Sequence, residues 1–100
     1  MNDNIRIAKE LVRIAKELTA ANHPKMGGKE YDDSFKWFVV WYSQDGKALI
    51  DGGYVIIMDA EVRANIIADR YGYETKVFSK ADAAKNGINV MDRRQWESLS

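Results

Sequence analysis

The sequence contains no cysteine, and this absence excludes three kinds of chemistry. Such a chain has no disulfide, no thiolate metal ligand and no cysteine nucleophile. Its single histidine, His23, lies directly before its single proline, Pro24. A typical zinc site needs several histidine or cysteine ligands, and no glycine-rich loop opens a helix after a strand, so we expect no cofactor. A reducing compartment suits this composition, and we expect a cytoplasmic location.

Neither sign of charge is in excess, because 15 basic residues balance 15 acidic ones. Proteins that bind phosphate backbones usually carry a basic excess or a basic stripe, so nucleic acid is a less favoured partner. No run of 18 apolar residues is present, and the N-terminus is charged throughout. We therefore expect neither a membrane span nor a secretory signal, and a composition typical of a soluble globular domain.

The most ordered pattern is a repeat near the N-terminus, where RIAKEL occurs twice at a spacing of seven residues. On a helix, its large apolar residues fall on one stripe formed by Ile7, Leu11, Ile14 and Leu18. Ile5 and Val12 form a second apolar edge, separated from that stripe by Ala8 and Ala15. About half of the helix circumference is then apolar, which is wider than one contact face needs.

Two interpretations of this wide apolar face stay open. The helix lies in a groove of its own domain, or it packs on its domain with one edge and on a second subunit with the other. Two heptads are too few for an independent coiled coil. The second interpretation predicts self-association, most simply a dimer, or contact with another protein. The predicted interaction residues are Ile5, Ile7, Leu11, Val12, Ile14 and Leu18.

The chain divides into three predicted parts. Residues 1–21 are an amphipathic packing or oligomerisation helix, and residues 34–100 are a single α/β domain. Residues 22–33 are a linker, because Pro24 and the Gly27-Gly28 pair interrupt every apolar period. The predicted fold class is α+β, a mixed α/β arrangement. After the linker comes a three-stranded β region and then α-β-α-β-α, giving one mixed sheet with right-handed crossovers that is covered by helices.

Local patterns predict the individual elements of that domain. Residues 35–42, FKWFVVWY, indicate a strand that is covered on both sides. Asp45-Gly46 predicts a hairpin, and Asp51-Gly52-Gly53 is expected to break the returning strand. The remaining predictions are a strand at 54–58, a helix from a cap at Asp59 to Gly72, a strand at 73–79, a helix capped by Ser79, a strand at 88–91 and a last helix from Asp92.

The predicted core combines the first strands with the helix that follows them. Its inward-facing residues are expected to come mostly from Trp37, Val39, Trp41, Val55 and Ile57, packed by Val62, Ile66 and Trp96. Acidic residues near strand ends are the remaining candidates for chemistry, because carboxylates bind hard cations such as Mg²⁺. Most of them have a turn, cap or linker role, and only Asp51 is kept as a weak metal candidate, with a turn before two glycines as its structural alternative. No catalytic residue is assigned.

Residues 78–99, FSKADAAKNGINVMDRRQWESL, resemble the closing strand-helix-strand-helix of PD-(D/E)xK restriction-endonuclease-like nucleases. That family needs an acid on one strand and an acidic or Gln-x-Lys triplet on the next. Asp51 matches the first acid, but residues 54–58 contain neither acid nor lysine, so the catalytic residues do not carry over. The same stretch also resembles the end of BRCT domains, although residues 59–71 predict a helix where those domains have a strand.

Residues 5–21, IRIAKELVRIAKELTAA, are similar to leader-like helices of many small proteins of tailed bacteriophages. This resemblance implies a phage-encoded accessory or virion-associated protein, located in the bacterial cytoplasm or in the virion. The sequence thus favours a non-enzymatic interaction module that self-associates. The alternatives are a degenerate nuclease-like fold that binds nucleic acid and a small metal-dependent nuclease.

Overall fold

The computed structural model describes residues 26–100. The predicted N-terminal helix, its six interaction residues and the first part of the predicted linker lie outside the described residues. The described chain has a mixed α/β fold, in which two helices and a 3-10 turn accompany a four-stranded sheet. The strands are β1 (Gly27–Gly28), β2 (Trp37–Tyr42), β3 (Ala48–Tyr54) and β4 (Thr75–Ser79); the helices are α1 (Ile57–Tyr71) and α2 (Lys80–Lys85), and the 3-10 turn is Arg93–Gln95.

The sheet has the strand order β1-β3-β2-β4, and every neighbouring pair is antiparallel. The β2–β3 hairpin predicted from Asp45-Gly46 is confirmed, and Gly46 has the positive φ of 85° that glycine adopts without a steric penalty. The predicted mixed sheet with right-handed crossovers is wrong, because β4 pairs antiparallel with β2. Within residues 26–100, the single parallel contact is an isolated bridge between Ile50 and Trp96.

β2 is buried on both faces, as its apolar sequence predicts, and no residue from Phe38 to Trp41 is more than 5% exposed. Val39 and Trp41 pack with α1 in one hydrophobic cluster. Phe38 and Val40 belong to a second cluster on the opposite face, with Phe35, Ile50, Ala83, Ile88 and Val90. The sheet therefore separates two cores, one beneath α1 and one beneath α2 and the loop after it.

The largest difference from the predicted elements lies between β3 and α1. β3 continues through Asp51-Gly52-Gly53 instead of breaking there. Residues 57–58, predicted as strand, already belong to α1, so Asp59 falls inside the helix and does not cap it. The residue before the helix is Ile56, which makes no side-chain capping bond. The C-terminal stop at Gly72 is confirmed, with a φ of 73°.

The C-terminal third is less regular than predicted. The Ser79 cap is confirmed, since its side chain accepts a hydrogen bond from the Asp82 backbone N–H. Residues 88–91 form no strand, and the last predicted helix is the short 3-10 turn that follows Asp92. Part of the predicted linker also joins the sheet, because β1 pairs with the end of β3. Within residues 26–100, no helix is long and apolar enough to cross a membrane.

Candidate functional site

Asp51, the metal candidate from the sequence, lies in the interior and is 2% exposed. It sits at an irregularity of the β2–β3 ladder. Val39 pairs with Gly52 and Val40 pairs with Ile50, so Asp51 is an extra residue without a partner in β2. Such a bulge changes the direction of a side chain relative to a regular strand. The predicted turn role of Asp51 is therefore wrong, and its carboxylate contacts α1.

Both oxygens of the Asp51 carboxylate are bound by neighbouring groups. Arg63 of α1 donates from Nε to Oδ2 at 2.8 Å and from Nη2 to Oδ1 at 3.0 Å. The backbone N–H of Leu99 donates to Oδ1 at 2.8 Å, and the Ser98 hydroxyl lies 3.4 Å from the same oxygen. These hydrogen bonds to Asp51 raise the pKa of Arg63, because they favour the charged guanidinium. Asp51 thus connects β3, α1 and the end of the chain.

The last residues, 96–100, form a C-terminal segment that lies beside β3. The Glu97 N–H donates to the Ile50 carbonyl at 2.9 Å, and the Trp41 indole N–H donates to the Glu97 carbonyl at 2.8 Å. Arg63 also donates to the Leu99 carbonyl. The Asp51–Arg63 pair therefore fastens this segment to the sheet. Among residues 26–100, no group of three or more His, Asp or Glu side chains is placed to hold a metal ion.

A groove of about 520 Å³ opens between β1 and the C-terminal segment. Its charged lining residues are Lys29, Asp51 and Arg63. Asp51 and Arg63 bind each other, and no buried side-chain nitrogen or oxygen of residues 26–100 lacks a hydrogen-bond partner. The groove thus presents no unsatisfied buried group that would call for a ligand.

Replacing Asp51 with asparagine is expected to lower the free energy of unfolding by about 2 kcal/mol, because Arg63 loses its charged partner in a part-buried site. The turn interpretation predicts no such loss. Asp69→Asn, an exposed acid of α1, is the matched control and should change the stability by less than about 0.5 kcal/mol. Urea denaturation followed by circular dichroism measures both variants. Equal midpoints for the two variants would contradict the fastening role.

The second candidate site is the outward face of α1. Met58, Val62 and Ile66 follow one another at intervals of four residues and therefore form one stripe along the helix. Their exposed fractions are 69%, 59% and 38%. We call these three residues the outward stripe. It lies on the side of α1 away from Ala60 and Ile67, which are fully buried against the sheet.

The prediction that Val62 and Ile66 pack in the core is wrong, and so is the inward position of Ile57, which is 37% exposed. Ala60 and Ala64 pack with Ile67 against the cluster of Val39 and Trp41, so this face of α1 meets the sheet and the outward stripe is left outside. Val55 and Trp96 pack against a hydrophobic cluster, as predicted, but this cluster lies on the side of the sheet opposite α1.

The exposed apolar residues continue past the start of α1. Ile56 is 46% exposed and Met26 is 70% exposed. The Met26 carbonyl accepts a hydrogen bond from the Val55 N–H at 3.3 Å. Met26, which follows residues 1–25 in the chain, is therefore held beside a residue that lies two positions before the start of α1. Met58, the first residue of the outward stripe, follows three residues after Val55, the residue that binds Met26.

The sequence pattern placed Val62 and Ile66 against the sheet and predicted no second apolar face for this helix. The helix carries apolar residues at 57, 58, 60, 62, 64, 66, 67 and 68, which spread around most of its circumference. A helix that is apolar on two faces needs a partner on each of them. That spread was the available signal for the outward stripe.

No known family model matches this chain, and neither the curated proteins nor the solved structures contain a significant match to it. A proposal for the function therefore has to be argued from the structure of residues 26–100 and from the sequence pattern of residues 1–25.

Proposed function

We propose that this protein is a non-enzymatic interaction module that self-associates, and that the outward stripe of α1 is part of its contact surface. The supporting observation is the stripe itself, three large apolar side chains exposed opposite the core. Single apolar residues are common on protein surfaces, whereas a contiguous apolar stripe indicates an interaction site. The resemblance of residues 5–21 supports a phage-encoded accessory or virion-associated setting.

A second copy of the chain is the simplest partner for such a surface. In a two-fold dimer, each copy can both present its stripe and cover the stripe of the other copy, so no second kind of chain is needed. Asp59 and Asp69 are exposed near the two ends of the stripe, together with Arg70. Charges at the rim of an apolar patch orient the partners and contribute little to affinity. The apolar stripe is therefore expected to supply most of the binding free energy.

Val62→Lys is expected to weaken self-association at least tenfold without unfolding the domain, because Val62 is 59% exposed and contributes little to the core. Ala68→Lys is the matched control, since it adds the same charge to an exposed position of the same helix outside the stripe. Sedimentation velocity at several concentrations measures the dissociation constant of each chain, and circular dichroism checks the fold.

Three results would count against the proposal. The first is an unmodified chain that is monomeric at the highest attainable concentration. The second is an equal weakening of association by both lysine variants. The third is Mg²⁺-dependent cleavage of DNA or RNA that the Asp51→Asn substitution abolishes, which would favour a nuclease.

A further inference from the structure

We infer that residues 5–18 of a second copy cover the outward stripe, so that two α1 helices and two N-terminal repeats form a four-helix bundle. This inference rests on the proposed self-association and names the segment that makes the contact. The N-terminal repeat is then the main interaction element of the protein, and the stripe of Met58, Val62 and Ile66 is its binding site.

The attachment point makes this arrangement possible. Residues 19–25 are the seven residues between the repeat and Met26; with residues 19–21 in the predicted helix and residues 22–25 extended, they span at most about 19 Å. The outward stripe extends from residue 58 to residue 66, which corresponds to about 12 Å along a helix. Because Met26 is held next to Val55, just before α1, the repeat can reach the stripe of its own copy or of a closely docked second copy.

The apolar pattern of the repeat favours contact with two helices. Its main stripe, Ile7 to Leu18, and its second edge, Ile5 and Val12, lie on different sides of the predicted helix, with Ala8 and Ala15 between them. One α1 presents one outward stripe, so docking on the repeat's own domain buries only one of these edges. In a two-fold bundle, each repeat lies between its own α1 and the partner's α1. Both edges are then buried, and the alanines let the helices approach closely.

Charge complementarity agrees with the same pairing. The polar face of the repeat carries four basic residues, Arg6, Lys9, Arg13 and Lys16, and two acidic ones, Glu10 and Glu17. The exposed charged residues of α1 are mainly acidic, namely Asp59, Glu61, Asp69 and Arg70. Opposite charges at the edges of the apolar contact favour this pairing over contact between two α1 helices, which would place acidic residues near each other.

Cysteine cross-linking tests the inference directly, because the natural chain contains no cysteine. An Ile14→Cys chain is co-expressed with a tagged Val62→Cys chain, so that the mixed pair differs in mass from both self-pairs. We expect oxidation to give mainly the mixed disulfide. Arg13→Cys places the thiol on the polar face of the same repeat and is the matched control, expected to give at least tenfold less mixed product. Leu11→Cys replaces Ile14→Cys if the latter does not fold.

The remaining outcomes separate the inference from the proposed function. A dimer that gives mainly the Val62–Val62 product, or no cross-link at all, overturns the inference and leaves self-association intact. A chain carrying both Ile14→Cys and Val62→Cys is the final comparison. If it forms only an internal disulfide and remains monomeric in sedimentation, the repeat covers its own α1, and both the inference and the proposed self-association are wrong.

Discussion

Truncating Trp41 to alanine is expected to lower the free energy of unfolding by about 3–5 kcal/mol. The ring is 5% exposed and packs with Val39, Ala60 and Ile67 beneath α1. Its centroid lies 4.8 Å from that of Tyr73, and its indole N–H donates to the Glu97 carbonyl at 2.8 Å. The substitution therefore leaves a cavity, removes an aromatic contact and weakens the attachment of the C-terminal segment.

A loss of this size is a large part of the stability of a small domain, which is typically about 5–15 kcal/mol. Trp41→Phe is the control, because it keeps an aromatic ring in the cluster and removes the hydrogen bond with only part of the ring volume, at a cost of about 1–2 kcal/mol. Urea denaturation followed by tryptophan fluorescence and circular dichroism measures both. An unchanged midpoint for Trp41→Ala would mean that β2 does not form the centre of the fold.

Local sequence signals predicted the features that depend on neighbouring residues. Asp45-Gly46 predicted the hairpin because a tight turn between two apolar strands depends on a few residues. The cap at Ser79 and the stop at Gly72 are equally local, and both are confirmed. The apolar sequence of β2 predicted its burial on both faces, since a strand with no polar side must be covered twice.

Features that depend on distant residues were predicted poorly. The β-branched residues of 54–58 favour a strand, yet α1 starts at Ile57, where the sheet no longer offers a pairing partner and the helix can bury Ala60 and Ile67. Asp51 binds Arg63 and Leu99, which are 12 and 48 positions away. The residues next to Asp51 in the sequence include neither of these partners, and the two glycines that follow it favour a turn.

The outward stripe belongs to the same class of features. A periodic apolar pattern identifies the residues that avoid water, but it does not say which of two faces meets the sheet. In α1, the face with Ala60, Ala64 and Ile67 meets the sheet. The four-stranded order also depends on β1, whose two glycines carry no side-chain pattern that would indicate a strand.

Gly53 gives the sharpest test of the continuous β3, because a broken strand would tolerate a larger residue there. Gly53 is buried and pairs with Phe38 on one side and Gly28 on the other. A Cβ atom at this position would overlap the ring of Phe35, whose Cγ would lie only 2.9 Å away. Phe35 is 4% exposed and is held by the core, so the ring has little room to move. We expect Gly53→Ala to lower the free energy of unfolding by about 3 kcal/mol.

The cause of that loss can be isolated with a double-mutant cycle. Phe35→Ala removes all the ring atoms that the new methyl group would meet, and it destabilises the domain by itself because the core loses volume. If the overlap with Phe35 is the cause, Gly53→Ala should cost markedly less in the Phe35→Ala background than in the unmodified chain, with a coupling energy of about 1–2 kcal/mol. Thermal and urea unfolding of the four chains give this value. Strict additivity, or a Gly53→Ala chain as stable as the unmodified one, would mean that β3 does not pass beneath Phe35 and that the glycines form a turn, as the sequence alone predicts.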